Sequence, residues 1–87
     1  MRKQHTLTFN EETWTIQLES TICSIYRNGI PTLWYLDTEV EKDETGWPQV
    51  IGFKLKNKDV GSSLIHCRVK DFTLTSMAEI IEIIKSH

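Results

Sequence analysis

The chain has 87 residues, which is enough for one domain with one compact core and too few for two. Its apolar fraction of 39% and charged fraction of 25% are ordinary for a folded soluble domain and argue against wholesale disorder. Ten Lys and Arg against twelve Asp and Glu give a net charge of −2, whereas a generic nucleic-acid binder carries a clear basic excess.

The residue balance favours a β-sheet. The chain has ten Ile, four Val and ten Thr, whereas Ala78 is its single alanine. β-branched side chains are stiff and suit a pleated surface, and a helical bundle would use more Ala and Leu. The composition therefore predicts a domain in which strands outweigh helices.

Apolar and polar residues alternate in six short segments, and near the end of the chain the apolar residues recur at helical spacing instead. These patterns predict one domain over residues 1–87. The predicted strands cover about residues 4–9, 14–19, 22–27, 32–40, 50–56 and 64–70, and the predicted helix covers about 77–85. Short polar turns separate most neighbouring strands, which favours antiparallel hairpins.

The first two predicted strands form a hairpin with an apolar face. Leu7 and Phe9 alternate with threonines, and His5 is expected on the same face or at its rim. After the polar turn at 10–13, Trp14 begins the next apolar face. Both faces are therefore assigned to the core.

The dipeptide Asn28-Gly29 predicts a tight turn between the third and fourth strands, because both residue types accept positive φ. Pro31 cannot donate to a ladder, so it is expected at the start of a strand or on an edge. Alternation then places Trp34 inward and Tyr35 outward. The residues assigned to the core are Phe9, Trp14, Ile16, Trp34, Leu36, Phe53 and Val69.

The fifth and sixth strands are expected to have one apolar face each, with Gly52 on the outer face of the fifth. Their inward residues are expected to be Ile51, Phe53, Leu55, Ile65, Cys67 and Val69.

The end of the chain predicts a short helix. Ser76 and Glu79 have the spacing of a capping box, in which the serine caps the amide of the glutamate. The helix stripe that follows consists of Met77, Ile80, Ile81 and Ile84. The predicted fold is α+β: an antiparallel meander or half-open barrel of five to six strands, with one short C-terminal helix packed on one face.

An acidic stripe on the fourth strand has two interpretations. Asp37, Glu39 and Glu41 lie two residues apart, so their carboxylates share one face and could hold a divalent cation. Lys54 and Lys56 on the next strand have the same alternation, which favours cross-strand ion pairs instead. We expect the ion pairs and no metal site.

Basic residues on the last two strands suggest an alternative function. A two-strand basic face can bind phosphates, although single-strand binders interleave aromatic residues that this face lacks. The candidate phosphate-binding residues are Lys54, Lys56, Lys58, Arg68 and Lys70, with His66 among them.

Nothing in the sequence predicts catalysis or a bound cofactor. The four glycines form no phosphate-binding loop, and Gly61-Ser62-Ser63 is not a nucleophile elbow. Two cysteines are too few for a disulfide scaffold; Cys67 is expected to be an inert thiol on the apolar face, and Cys23 is left open. The three histidines are too scattered to predict a metal-ligand set. We therefore expect a protein that is not an enzyme.

One segment suggests a binding surface. Trp47 lies in a polar loop at 42–48 next to several carboxylates, and tryptophan and tyrosine are enriched at protein interfaces. An alternative role for Trp47 is to cover the open end of a barrel. The predicted contact residues are Tyr35, Asp37, Glu39, Glu41, Asp43, Glu44 and Trp47.

These residues suggest a small protein-binding module of the inhibitor, immunity-protein, antitoxin or adaptor type, whose acidic surface suits a basic partner. Nucleic-acid or phosphate-ligand binding through residues 54–70 and a homodimer paired through an open sheet edge are the alternatives.

The location is expected to be cytoplasmic, with no membrane partner. Arg2 and Lys3 are not followed by the apolar run of about 7–15 residues that a secretory signal needs. No stretch approaches the ~20 apolar residues of a membrane span. Export in an already processed form fits the same sequence.

Overall fold

The computed structural model describes residues 4–9, 11–19 and 22–87, with the backbone alone at His5. Its strands follow one another in chain order in a single antiparallel sheet, a meander that curves into a half-barrel and carries one helix. The predicted α+β fold is confirmed. The elements are β1 (Gln4–Phe9), β2 (Glu12–Glu19), β3 (Ile22–Arg27), β4 (Ile30–Lys42), β5 (Pro48–Asn57), β6 (Cys67–Val69) and α1 (Leu74–Lys85).

The Asn28-Gly29 turn forms as predicted. Asn28 and Gly29 have φ of 52° and 78°, so both residues occupy the left-handed region that a two-residue hairpin turn requires. The Asn28 side-chain oxygen also accepts a hydrogen bond from the Thr13 backbone amide at 2.9 Å, and the Asn28 backbone amide donates to the Thr13 carbonyl at 2.7 Å. This turn therefore ties the β3–β4 hairpin to β2. The expectations for Asn10 and for the His5 side chain lie outside the described residues.

The core lies between the sheet and α1, and the predicted helix stripe is confirmed. Its buried apolar residues are Trp14, Ile16, Cys23, Ile25, Trp34, Leu36, Leu55, Val69, Met77, Ile80, Ile81 and Ile84. Phe9 and Phe53, predicted to be core residues, are only partly buried and pack against the edge of this cluster. They lie at the margin because Phe9 ends β1 and Phe53 stacks on Phe72 just beyond β6, with ring centroids 4.4 Å apart.

The helix begins three residues earlier than predicted. Thr73 is the N-cap, and its hydroxyl accepts a hydrogen bond from the Ser76 amide at 3.1 Å. The prediction of Ser76 as the cap is therefore wrong. The physical reason is that threonine caps a helix nearly as well as serine. Thr73 comes before Ser76 in the chain, so the helix begins directly after Thr73.

The sixth strand is shorter than the predicted 64–70, because only Cys67–Val69 pair with β5. The preceding segment loops away instead: Gly61 has φ of 118° and forms an isolated bridge with Asn57. The Asn57 side chain is buried and accepts the Asp59 amide at 2.8 Å, which stabilises this loop. Ile65 therefore lies outside the strand to which it was assigned.

Gly52 is buried next to the end of β6. A Cβ atom at this position would lie 2.9 Å from the Val69 carbonyl oxygen, a backbone atom that cannot rotate away. We expect Gly52→Ala to destabilise the domain by about 1–3 kcal/mol, because overpacking forces the backbone to shift. Denaturant unfolding measures this loss, with Ser63→Ala at an exposed loop position as the control. Equal stability of the two variants would show that β6 moves aside freely.

Candidate functional site

The β4–β5 hairpin extends beyond its neighbouring strands. The described pairing of β3 with β4 reaches only Asp37, and β6 pairs with β5 only over residues 53–55. Residues 38–51, which we call the arm, therefore form a two-stranded hairpin in the described part of the chain. Every residue from 40 to 51 is exposed. The arm is accordingly accessible to another molecule along this whole stretch.

A bulge at the base of the arm changes the strand register. Glu39 pairs with Gly52 and Val40 pairs with Val50, so Ile51 has no opposite residue on β4. Ile51, predicted to face the core, is 46% exposed, and that prediction is wrong. The extra residue of a bulge interrupts the alternation and bends the strand, which sequence periodicity alone does not reveal.

The tip of the arm is a turn organised by Asp43. The Asp43 carboxylate accepts the amides of Thr45 at 2.9 Å and Trp47 at 3.0 Å, and the Thr45 hydroxyl at 2.6 Å. The Asp43 amide closes the turn by donating to the Trp47 carbonyl at 3.0 Å, and Gly46 supplies the positive φ of 86°. The loop predicted at 42–48 is thus an ordered turn.

Trp47 projects from this turn with 71% of its surface exposed. The alternative in which Trp47 covers an open barrel end is therefore not what the structure shows. An aromatic side chain on a hydrogen-bonded turn loses less conformational freedom on binding than one on a mobile loop.

The hydrogen bonds at the tip hold the pKa of Asp43 below its ordinary value of 3.8, the Thr45 hydroxyl contributing most and the Trp47 amide next. A lowered pKa means that this carboxylate stabilises the turn at neutral pH and loses that effect as the pH falls through the folded-state pKa. We expect the amide NMR signals of Thr45 and Trp47 to titrate with a midpoint below 3.8. Asp43→Asn should abolish this titration, and a midpoint at or above 3.8 would contradict the turn geometry.

The two faces of the arm differ in character. On the helix-facing side of the sheet, Val40 and Val50 form an exposed cross-strand pair, and both are more than half exposed. On the outer side Glu41 lies opposite Gln49. Since side chains alternate along a strand, the arm has one apolar and one polar face.

The predicted contact residues divide into two groups. Glu41, Glu44 and Trp47 lie on the exposed part of the arm, with Asp43 bonded into the turn. The remaining three, Tyr35, Asp37 and Glu39, lie on the outer side of β4 and are partly buried.

The outer side of the sheet carries acids and bases together. Lys56 donates to the Asp37 carboxylate at 2.9 Å. The Arg68 guanidinium lies 3.5 Å from the Glu39 carboxylate. Lys54 lies directly opposite Asp37 in the register. The expected pairing of the acidic stripe with lysines of β5 is confirmed for Asp37, whereas the partner of Glu39 comes from β6. These two pairs engage two of the candidate phosphate-binding residues, Lys56 and Arg68. Of the remaining three, Lys54 is partly buried within β5, and Lys58 and Lys70 are exposed at loop positions.

Neither cysteine is set up as a nucleophile in this structure. Cys23 is fully buried, and burial raises the pKa of its thiol to about 11. Burial also raises the pKa of Cys67, and the nearby charge of Glu79 adds to the effect. Both thiols are therefore protonated at neutral pH. Among the described residues, no group of three or more His, Cys, Asp and Glu side chains is arranged to hold a metal ion.

The structure brings together two histidines that the sequence separates. The rings of His66 and His87 meet at a centroid distance of 5.0 Å, and they lie 4.7 and 5.3 Å from the ring of Trp34. No sequence signal indicates this cluster, because it depends on where the end of α1 lies against the sheet. Its edge-to-face contacts cover the Trp34 end of the core.

Comparison with protein-family models, with curated proteins and with solved structures gave no match. In the part of the chain that the structure describes, no helix has the length and apolar character needed to cross a membrane.

Proposed function

We propose that the chain is a small protein-binding module that acts by non-catalytic contact, as inhibitors, immunity proteins, antitoxins and adaptors do. The observation that carries the proposal is the exposed Trp47 side chain on the ordered turn at the tip of the arm. Binding energy at protein interfaces concentrates in a few residues, and tryptophan is prominent among them. Preorganisation by Asp43 lowers the entropy cost of using this anchor.

The charge of the arm supports a basic partner. The arm carries four carboxylates and one lysine; Glu41 is exposed on β4 before the turn, and Glu44 is exposed within the turn. Asp43 serves the turn itself, so Glu41 and Glu44 are the carboxylates available to steer a positively charged surface toward Trp47.

Phosphate or nucleic-acid binding through the basic strands has less support. Lys56 and Arg68 already face carboxylates on their own sheet, so their charge is partly neutralised before any phosphate arrives. Salt distinguishes the two functions, because phosphate binding weakens steeply and linearly in log–log terms as salt rises.

The experiment is affinity capture from a lysate of the source cell, with mass spectrometry of the retained proteins. Three baits are compared: the native chain, Trp47→Ala, and Val60→Ala as a matched control at an exposed apolar residue outside the arm. We expect a protein with a basic surface that the native chain and the control retain and that Trp47→Ala loses. Retention of the same proteins by all three baits would contradict the proposal.

A further inference from the structure

The arm has two open strand edges with different chemistry. In the described chain, the outer edge of β4 is unpaired after Asp37. The outer edge of β5 is unpaired before residue 52. The open β4 edge carries Glu39, Glu41 and Lys42, and charged side chains of this kind protect an edge from pairing with other chains. The open β5 edge at 48–51 carries no charge at all.

The uncharged edge adjoins exposed apolar side chains. Val50 is 57% exposed and Ile51 is 46% exposed, and Val40 stands beside Val50 on the same face. An unpaired, uncharged strand with exposed β-branched residues is a template for addition of another strand.

We infer that a second copy of this chain pairs with the open edge of β5, strand against strand and antiparallel, about a two-fold axis next to Val50. This pairing sets Val50 beside the same residue of the second copy and Gln49 opposite Ile51. The two half-barrel sheets then continue into each other through the arms.

A second copy fits this edge for two reasons. A two-fold contact joins a surface to itself, and here the residues that pair across the axis, Gln49, Val50 and Ile51, are all uncharged, so no like charges are juxtaposed. The carboxylates that would select a basic partner lie instead at the tip and along the β4 side of the arm. Because β6 covers the edge from Gly52 onward, the new ladder is short, and we expect a dissociation constant between about 10 μM and about 1 mM.

The test is the molar mass of the purified protein by sedimentation equilibrium, with no other protein present. We expect a monomer–dimer equilibrium in the native chain and an at least tenfold weaker association in Val50→Lys and in Val50→Glu, because each variant brings two like charges together at the axis. Mixing the two variants should restore the dimer, since lysine then faces glutamate. Val60→Lys, which adds the same charge at an exposed loop residue, should associate like the native chain.

A native chain that stays monomeric at about 1 mM, the upper limit of the expected range, would overturn the inference. So would unchanged association of Val50→Lys, or a mixture that fails to associate. Hydrogen exchange on the native chain gives a reading without any substitution: protection of the amides within 49–51 should rise with protein concentration. Failure here is distinguishable from failure of the proposed function, which is measured by capture of a different protein and depends on Trp47.

Discussion

Replacing Trp34 by alanine should destabilise the domain by about 3–5 kcal/mol, the range for removing a large aromatic side chain from a core. Trp34 is 8% exposed and belongs to the core cluster that residues of β4 and α1 share. The Trp34 ring contacts the rings of His66 and His87. Removing it leaves a cavity lined by these two rings, which can fill it only by leaving their own positions.

Chemical denaturation of purified variants measures this loss, and the neighbouring residue provides a matched control. Leu33 lies on the opposite side of the same strand and is 56% exposed, so Leu33→Ala should change the unfolding free energy by no more than about 0.5 kcal/mol. A loss below about 1 kcal/mol for Trp34→Ala would mean that β4 is inverted, because a shift of one residue moves every side chain to the other face.

Features that depend on local alternation were predictable from the sequence. The faces of β2 and β4 follow from the spacing of Trp14, Ile16, Trp34 and Leu36, because a two-residue period fixes which side chains share a side. The Asn28-Gly29 turn was predictable for a similar reason, since few residue pairs accept positive φ at both positions.

Features that depend on where a neighbouring strand ends were not predictable. The sequence indicates that β4 and β5 pair, but the length of the arm is set by the ends of β3 and β6, which lie elsewhere in the chain. The bulge at Ile51 interrupts the alternation on which the core prediction depended.

The candidate site was predictable only in part. The segment around Trp47 stood out because it combines an aromatic residue with carboxylates in a loop. The different roles of its carboxylates were not predictable. Asp43 accepts hydrogen bonds from its own turn, while Asp37 and Glu39 face Lys56 and Arg68 on neighbouring strands of the sheet. Carboxylates in one short segment therefore have different roles, because their hydrogen-bond partners and the strand register are set by the folded structure and not by the local sequence.

Replacing Trp47 by alanine should weaken partner binding by about 2 kcal/mol or more, the loss typical of an interface anchor. The side chain is exposed on an arm outside the core, so the variant should fold as the native chain does. Neutralising Glu41 and Glu44 as glutamines should mainly slow association, because exposed charges act on the encounter, and added salt should remove the difference.

Val60→Ala is the control for Trp47→Ala, because it also removes an exposed apolar side chain but lies outside the arm. It should leave both affinity and stability unchanged. An equal loss of affinity in the two variants would indicate non-specific apolar attraction and not a defined contact through the tip.

The central claim is that Trp47 serves a partner and not the fold, and paired measurements on Trp47→Ala test it most directly. The unfolding free energy of the variant and its affinity for the captured partner are determined on the same preparation. Our account predicts stability within about 0.5 kcal/mol of the native chain, as for other surface changes, together with an affinity loss of about 2 kcal/mol or more. A destabilised variant that binds its partner with native affinity would contradict it.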